Sequence, residues 1–210
     1  MRFTFYAIIL LTLGGCLNTK KVIHPVSVFT PQEKALIMSA DHNKPMRVLK
    51  ITDRQDSLIL RRPSMDINVT DADPALAVFM SRLYSTVTDS MSLGVGIAAP
   101  QVGILKRIIW VQRFDKEGFP FEVYINPKIR QYSILKQDCL EGCLSIPDRR
   151  DTTTNRAYAI LLEYDRPDAT HHHEMVEDFT AVIFQHEIDH LEGILYLDHL
   201  QEEVRNASKN

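Results

Sequence analysis

Within QHEIDHLEG (residues 185–193), His186 and His190 stand four residues apart, with Glu187 beside the first. On a helix, side chains at i and i+4 lie on one face, with roughly 6 Å between their β-carbons. Both imidazoles can then bind one ion, and Glu187 is left beside it as a base. Two ligands are too few, because a catalytic site of this kind takes three protein ligands and keeps a position open for water. A zinc-protease pattern would place a third histidine six residues after the second, but that residue is Tyr196. A glutamate on a following helix is the other protease solution, and only Glu202 and Glu203 remain for it. The better third ligand lies upstream, at Cys143 in LEGCLSIP (140–147). A divalent ion supplies the positive charge that a thiol needs to ionise at neutral pH, and Gly142 leaves room for close approach. Cys143, His186 and His190 therefore make a candidate metal set with an open fourth position.

A third segment, GVGIAAPQ (94–101), has weak chemical content by itself. Gly94 and Gly96 permit a tight backbone approach, and Ala98 and Ala99 leave room beside the chain. Gln101 is the one polar side chain here that can point a neutral donor at a developing oxyanion. The segment is not a dinucleotide fingerprint: a third glycine is missing, and a helical pattern precedes it rather than a strand.

The elements that must position these residues are legible in outline. TPQE (30–33) offers Thr30 as N-cap, Pro31 at the first helical position and Glu33 to complete a capping box, which predicts a short helix through about Ser39. VLKI (48–51) reads as a strand or extended segment. A second helix is expected from Asp73–Pro74, with Leu76, Met80, Leu83 and Val87 on its core face. RIIWVQRF (107–114), FEVYIN (121–126) and YAILLEY (158–164) read as strands, the first two joined as a hairpin or meander around Gly118 and Pro120. EDFTAVIFQHEIDHL is the last helix, and Gly193 can stop it. HHH (171–173) reads as an exposed loop, since one strand-like run cannot aim consecutive imidazoles at one ion. The order is α+β rather than repeated βαβ.

A chain of 210 residues suits one domain, and a net charge of −3 gives no electrostatic case for nucleic acid. The N-terminus stands apart. Arg2, an apolar stretch FTFYAIILLTL and small residues before Cys16 read as an export signal, too short to span a bilayer comfortably. A buried apolar element at the start of the domain is the alternative. Cys139 and Cys143 read as one bystander and one ligand, although an exported chain could join them in a disulfide that would abolish the site.

With GxGxAAxQ, EGCLS and QHExDHLxG all intact and in this order, the sequence resembles the peptide deformylases, over roughly residues 46 to 200. INP (125–127) and the stretch 48–67 match further family segments. The resemblance implies a single domain of antiparallel β-sheets packed around a central HExxH-bearing helix. It implies that Cys143, His186 and His190 hold one divalent ion, usually iron(II), with zinc, nickel or cobalt able to occupy the site. Glu187 would be general base and acid, and Gln101 with the Leu144 N–H would form the oxyanion hole. Gly94, Val95 and Gly96 would border an N-formylmethionyl peptide whose methionine enters an apolar pocket, and Asp189 and Glu141 would orient ligands or loops. The reaction implied is hydrolysis of the formyl group to formate and a free N-terminal methionine.

LGGC (13–16) resembles a bacterial lipobox, which implies cleavage before Cys16 and a lipid on its thiol. Residues 1–15 are then a signal peptide, 16–29 a lipidated tether and 30–210 the catalytic domain. This departs from the family, whose members act on nascent chains in the cytoplasm. An exported, envelope-anchored relative acting on released formyl-peptides is one expectation; translation from Met46, giving a cytoplasmic enzyme, is the other. A second departure is DRRDTTTNRAYA (148–159), more polar than usual in the family, which leaves open whether Arg149, Arg150 or Arg156 fills the family's arginine position. In the last motif an arginine commonly follows the aspartate where Asp198 and His199 stand here. A lipid-anchored formyl-peptide-binding protein, or another metal amidase on the same site, remains as an alternative. An intact Glu187 speaks against mere binding, which does not need it.

Overall fold

Residues Ile108–Gln112 form strand β2, and their alternation separates the two larger of three apolar clusters, the smallest lying around Ile146, Leu195 and Tyr196. In the computed structural model, which describes residues 28–69, 73–90 and 94–209, Ile108 and Trp110 face a cluster containing Phe79, Leu83, Ile97 and Ile125. Ile109 and Val111 face another, with Tyr124, Ile160, Phe184 and Ile188. Successive strand residues point to opposite faces, so a strand covered on both sides must be apolar throughout. That is why IIWV lacks polar alternation.

The sheet is antiparallel, in the order β1 (Gly96–Ala98), β2, β3 (Phe121–Tyr132), β6 (Ala159–Asp165) and β7 (His171–Glu177). Strands β4 (Lys136–Cys143) and β5 (Ile146–Ala157) pair separately. Helices α1 (Pro31–Ile37) and α3 (Pro74–Val87) contribute to the first core, and α4 (Asp178–Leu191) to the second. Helix α4 touches all the strands of both sheets. The expected α+β arrangement, antiparallel sheets around the HExxH helix, is present. Helices α2 (Arg54–Leu60) and α5 (Tyr196–Ala207) complete the described elements.

Local signals explain the helix starts. Thr30 accepts from the Glu33 N–H while Glu33 accepts from the Thr30 N–H, closing the predicted capping box. Asp73 caps α3 through the Ala75 N–H, with Pro74 following. On the predicted face of α3, Leu76, Leu83 and Val87 are buried and Met80 partly so, while Phe79, not among the predicted residues, is fully buried beside them; each fully buried side chain contributes about 1.5–3 kcal/mol. Buried Arg82 donates to the carbonyls of Leu36, Ile37 and Lys44, so it satisfies the C-terminal end of α1 and fastens it to α3.

Several expectations need amending. Val28 and Phe29, expected within the tether, are buried, Phe29 edge-on to Phe79 at 5.7 Å, so these two residues belong to the packed core. The signal peptide and the lipobox, Cys16 included, lie outside the described residues. Among the described residues no helix is long and apolar enough to cross a membrane. Residues 48–51 are extended but form no strand: the Leu49 N–H donates to Gln101 and the Ile51 N–H to Ser145. The HHH run is exposed but is not a loop; it opens edge strand β7. Helices α2 and α5 and the β4–β5 hairpin were not foreseen, although Tyr196, Leu197, Leu200 and Val204 recur at helical spacing along α5; β5 is polar along most of its length.

Candidate active site

Helix α4 presents its motif to the ends of three other elements. Gln185 fixes it in place: its side-chain oxygen accepts from the Ala157 N–H and its amide donates to the Ala157 carbonyl, both at 2.9 Å, so α4 is pinned to β5. Gly193 ends the helix region with φ +74, and an added Cβ there would lie 2.5 Å from the Arg61 carbonyl oxygen. On the helix face, the rings of His186 and His190 are 5.1 Å apart. The last residue of β4, Cys143, meets them, its Sγ 3.2 Å from His190 Nε2. The ligand atoms of Cys143, His186 and His190 all lie within 4.8 Å of one another.

The electrostatics fit a cation. Burial pushes the Cys143 thiol up, but His190 and His186 beside it outweigh that and hold it well below the usual thiol range. The thiolate and Glu141 in turn hold His186 well above the ordinary imidazole value despite its burial. A thiolate and two imidazoles converging in a buried space are donors suited to a borderline-soft divalent ion. Cys139, the other described cysteine, is also a free thiol, so the disulfide alternative is not realised.

Glu187 lies against this trio, 4 % exposed, and burial pushes its carboxyl up to about 7, with the two histidines opposing. Its Oε2 has no hydrogen-bond partner among the described residues. Space for it comes from β1: a Cβ on Gly96 would lie 2.5 Å from Glu187 Oε1 and 2.9 Å from Ile183 Cγ2. The glycine predicted to border substrate is therefore also the floor on which the Glu187 carboxyl rests.

Gln101 sits in the 3-10 turn after β1 (Ala99–Val102) and is 2 % exposed. Its Oε1 accepts from the Ala98 N–H at 2.8 Å, which turns its Nε2 toward Cys143 Sγ and Ser145 Oγ, 3.6 and 3.3 Å away. The tight turn after Cys143 carries Leu144 and Ser145, and the Leu144 carbonyl accepts from Lys50 Nζ. Gly94, Val95, Gly96, Gln101, Cys143, Leu144, His186 and Glu187 all line one cavity of about 690 Å³, whose apolar wall includes Phe179, Val182 and Ile183. His190 is buried at 2 % exposure and is not among the cavity-lining residues.

Behind the trio runs a chain of buried charge. His186 Nδ1 is 2.7 Å from Glu141 Oε2, which leaves Nε2 toward the sulfur. Arg156 clasps Glu141 through Nε and Nη2 at 2.8 and 2.9 Å and reaches Asp189 through Nη1 at 2.6 Å. Burial would raise the Glu141 carboxyl, but His186 and Arg156 hold it well below the carboxylate range. Among the arginines of the polar segment, Arg156 thus supports the centre, whereas Arg149 and Arg150 line the cavity. The Asp189 carboxylate is held by Arg156 and by His199 Nε2, the latter at 2.8 Å. Tyr196, where the zinc-protease pattern wants a histidine, stacks on His186 at 6.1 Å. Glu203 accepts from the Thr154 N–H and is no ligand. Sequence reasoning missed Ser145 and the pinning role of Gln185, both inside the three motifs, and Lys50, which lies far from them in the chain; in each case residue type gave no geometry.

A profile of the polypeptide deformylase family matches residues 47–206. The chain is 37 % identical over 151 residues to a peptide deformylase of Leptospira biflexa, covering 68 % of this chain and 83 % of that protein. It is 42 % identical over 127 residues to one of Desulforudis audaxviator, covering 57 % and 76 % of the two. Among solved structures, a class I type b peptide deformylase of Acinetobacter baumannii with Met-Ala-Ser bound superposes with a TM-score of 0.66 at 30 % identity, over 75 % of this chain and 99 % of that one. A peptide deformylase of Thermotoga maritima gives 0.64 at 30 % identity, over 74 % and 97 %. The chain belongs to the polypeptide deformylase family and is a metal-dependent hydrolase that removes the formyl group from N-formylmethionyl peptides and releases formate.

Proposed function

We propose that Cys143, His186 and His190 hold one divalent ion per chain, iron(II) by preference with zinc or nickel able to replace it, and that Glu187 carries the proton during hydrolysis. The observation behind this reading is the buried, unpartnered Oε2 of Glu187 beside three converging donors. When bound, such an ion supplies a Lewis acid and lowers the pKa of water. Glu187, whose carboxyl burial pushes upward, takes the proton of the attacking water and returns one to the leaving amine. Gln101 Nε2, held by the Ala98 contact, and the Leu144 N–H donate to the oxyanion that forms at the formyl carbon. Gly94, Val95 and Gly96 border the peptide, and the apolar wall of Phe179, Val182 and Ile183 receives the methionine side chain. The likeness to an enzyme with Met-Ala-Ser bound supports a formylated peptide of that kind as substrate.

The test is formate release from formyl-Met-Ala-Ser by the anaerobically purified chain, reloaded in turn with iron(II), zinc and nickel, beside Glu187→Ala. Fastest turnover with iron(II), and loss of turnover with metal retained in the variant, is the expected result. An active Glu187→Ala, or equal rates with every metal, would overturn the assignments.

We further propose that the chain is lipid-anchored at the cell envelope through Cys16. A start at Met46 would remove Phe29 and Ile37, 2 % and 0 % exposed, from against α3, and would leave Arg82 without the α1 carbonyls it bonds. That loss of packing supports the reading in which residues before Met46 are retained. Cys16→Ser should move the protein from the membrane to the soluble fraction; an unchanged soluble distribution of the unaltered chain would refute anchoring.

A further inference from the structure

Strands β6 and β7 pair so that Glu163 lies opposite His173 and Asp165 opposite His171. Residues two apart on a strand share a face, and directly paired residues share it too. Glu163, Asp165, His171 and His173 therefore stand together on one side of the sheet. His172 points the other way and stacks on Tyr164 at 5.5 Å. The alternation that denies an ion three consecutive imidazoles gives it two alternate ones.

We propose that Glu163, His171 and His173 form a second metal site, for a zinc-, nickel- or copper-like divalent ion, separate from the catalytic centre. Their ligand atoms lie within 4.8 Å of one another, and tetrahedral zinc with bonds of about 2.0–2.2 Å asks them to close by only an ångström or so. His173 Nε2 is 3.1 Å from Glu163 Oε2, and His171 Nε2 is 3.7 Å from Glu163 Oε1. The other nitrogen of His171, Nδ1, is 2.7 Å from Asp165 Oδ1. A carboxylate on the far nitrogen fixes ring orientation and leaves Nε2 as the ligand, as at most histidine-bound metals. Two imidazoles and one carboxylate suit zinc, nickel or copper, while magnesium and calcium prefer all-oxygen shells. Both histidine side chains are about half exposed, 52 % and 51 %, so ions reach them freely.

One group competes. Arg130 on β3 forms a two-pronged ion pair with Glu163. At 51 % exposure it can swing into water, so it weakens the site without closing it. The consequence of occupancy is mechanical: edge strand β7 leads directly into α4, and an ion shared by β6 and β7 clamps the strand that feeds the catalytic helix.

The test counts zinc on the full chain, stripped and then re-equilibrated with micromolar zinc alone. The unaltered protein should hold one equivalent more than His171→Ala/His173→Ala, and the double variant should keep full deformylase activity. The difference of one is read whether or not the catalytic centre takes zinc, so failure of that centre is seen separately. Equal zinc content in the two proteins would overturn the site. Arg130→Ala should bring in the additional zinc at lower concentration; an unshifted titration would rule out Glu163 as a ligand.

Discussion

The chain carries two histidine pairs in succession, one on β7 and one on α4, and they differ in everything but residue type. His171 and His173 use the strand period of two, stand half exposed, and lean on Glu163, whose arginine partner is itself 51 % exposed. His186 and His190 use the helical spacing of four and lie at 11 % side-chain and 2 % residue exposure, and His186 leans on Glu141, whose arginine partner is 3 % exposed. Spacing brings imidazoles together in both places. Burial and the rigidity of the carboxylate behind them separate a centre prepared for chemistry from a surface cluster that only needs to bind. A buried ion pair is costly to desolvate and is severely missed when one partner is removed, so the Arg156–Glu141 clasp holds His186 in a way that Arg130–Glu163 cannot hold His173.

The most damaging way to probe that contrast is to delete one imidazole from each pair. His190→Ala should reduce formate release to background and abolish tight metal retention, measured as metal per chain after gel filtration. His173→Ala should leave turnover intact. A His190→Ala enzyme that keeps substantial activity after reloading would break the comparison at its root, because it would mean that the buried trio is not the ligand set.

Next in size is the carboxylate. Glu141→Gln retains the shape but removes the charge that both His186 and Arg156 require. Loss of such an orienting partner typically costs 10–100-fold in metal affinity or activity, and a competition assay with a chelator should show a fall on that order. Gly96→Ala sharpens the point differently. The new methyl would press on Glu187 Oε1 and Ile183 Cγ2, so the base must move while the ligands stay. Misplacing a reacting group by about an ångström can cost on the order of 100-fold. The expected result is a reduced kcat with metal content unchanged; a matching loss of metal would show that β1 supports the ligands rather than the base.

What the sequence disclosed follows the same division. His186, Glu187 and His190 were legible because helical periodicity converts spacing directly into geometry, and Cys143 because HExxH lacked a third ligand downstream. Gln101 was legible only as a residue able to donate; its orientation depends on the Ala98 N–H, a contact that no spacing encodes. The strands of the five-stranded sheet that carry IIWV and AILL announced themselves by burial on both faces. The β4–β5 hairpin did not, since DRRDTTTNRA alternates no apolar residues and is held by cross-strand pairing and by the buried Arg156. Three adjacent histidines looked like a loop for the same reason: an edge strand with one face in water needs few apolar residues to exist. Helix α5 does have a helical apolar stripe, Tyr196, Leu197, Leu200 and Val204, and was overlooked behind Gly193; of that stripe only Tyr196 is buried.

The smallest expected effect tests the exposed pair with no added metal. His171→Ala/His173→Ala removes contacts to Asp165 and Glu163 that are solvent-accessible and weak as stabilising interactions. Substitutions at such positions usually change stability by less than about 0.5 kcal/mol, so the denaturant midpoint of the chelator-treated variant should match that of the unaltered chain. Adding zinc should then separate the two, raising the midpoint of the unaltered chain above that of the variant. Any ion held at the buried trio stabilises both proteins alike, so the gap reports the β6–β7 clamp alone. If instead the variant is already markedly weaker without metal, β7 depends on its histidines for folding, and the contrast between a prepared centre and a passive surface cluster would have to be redrawn.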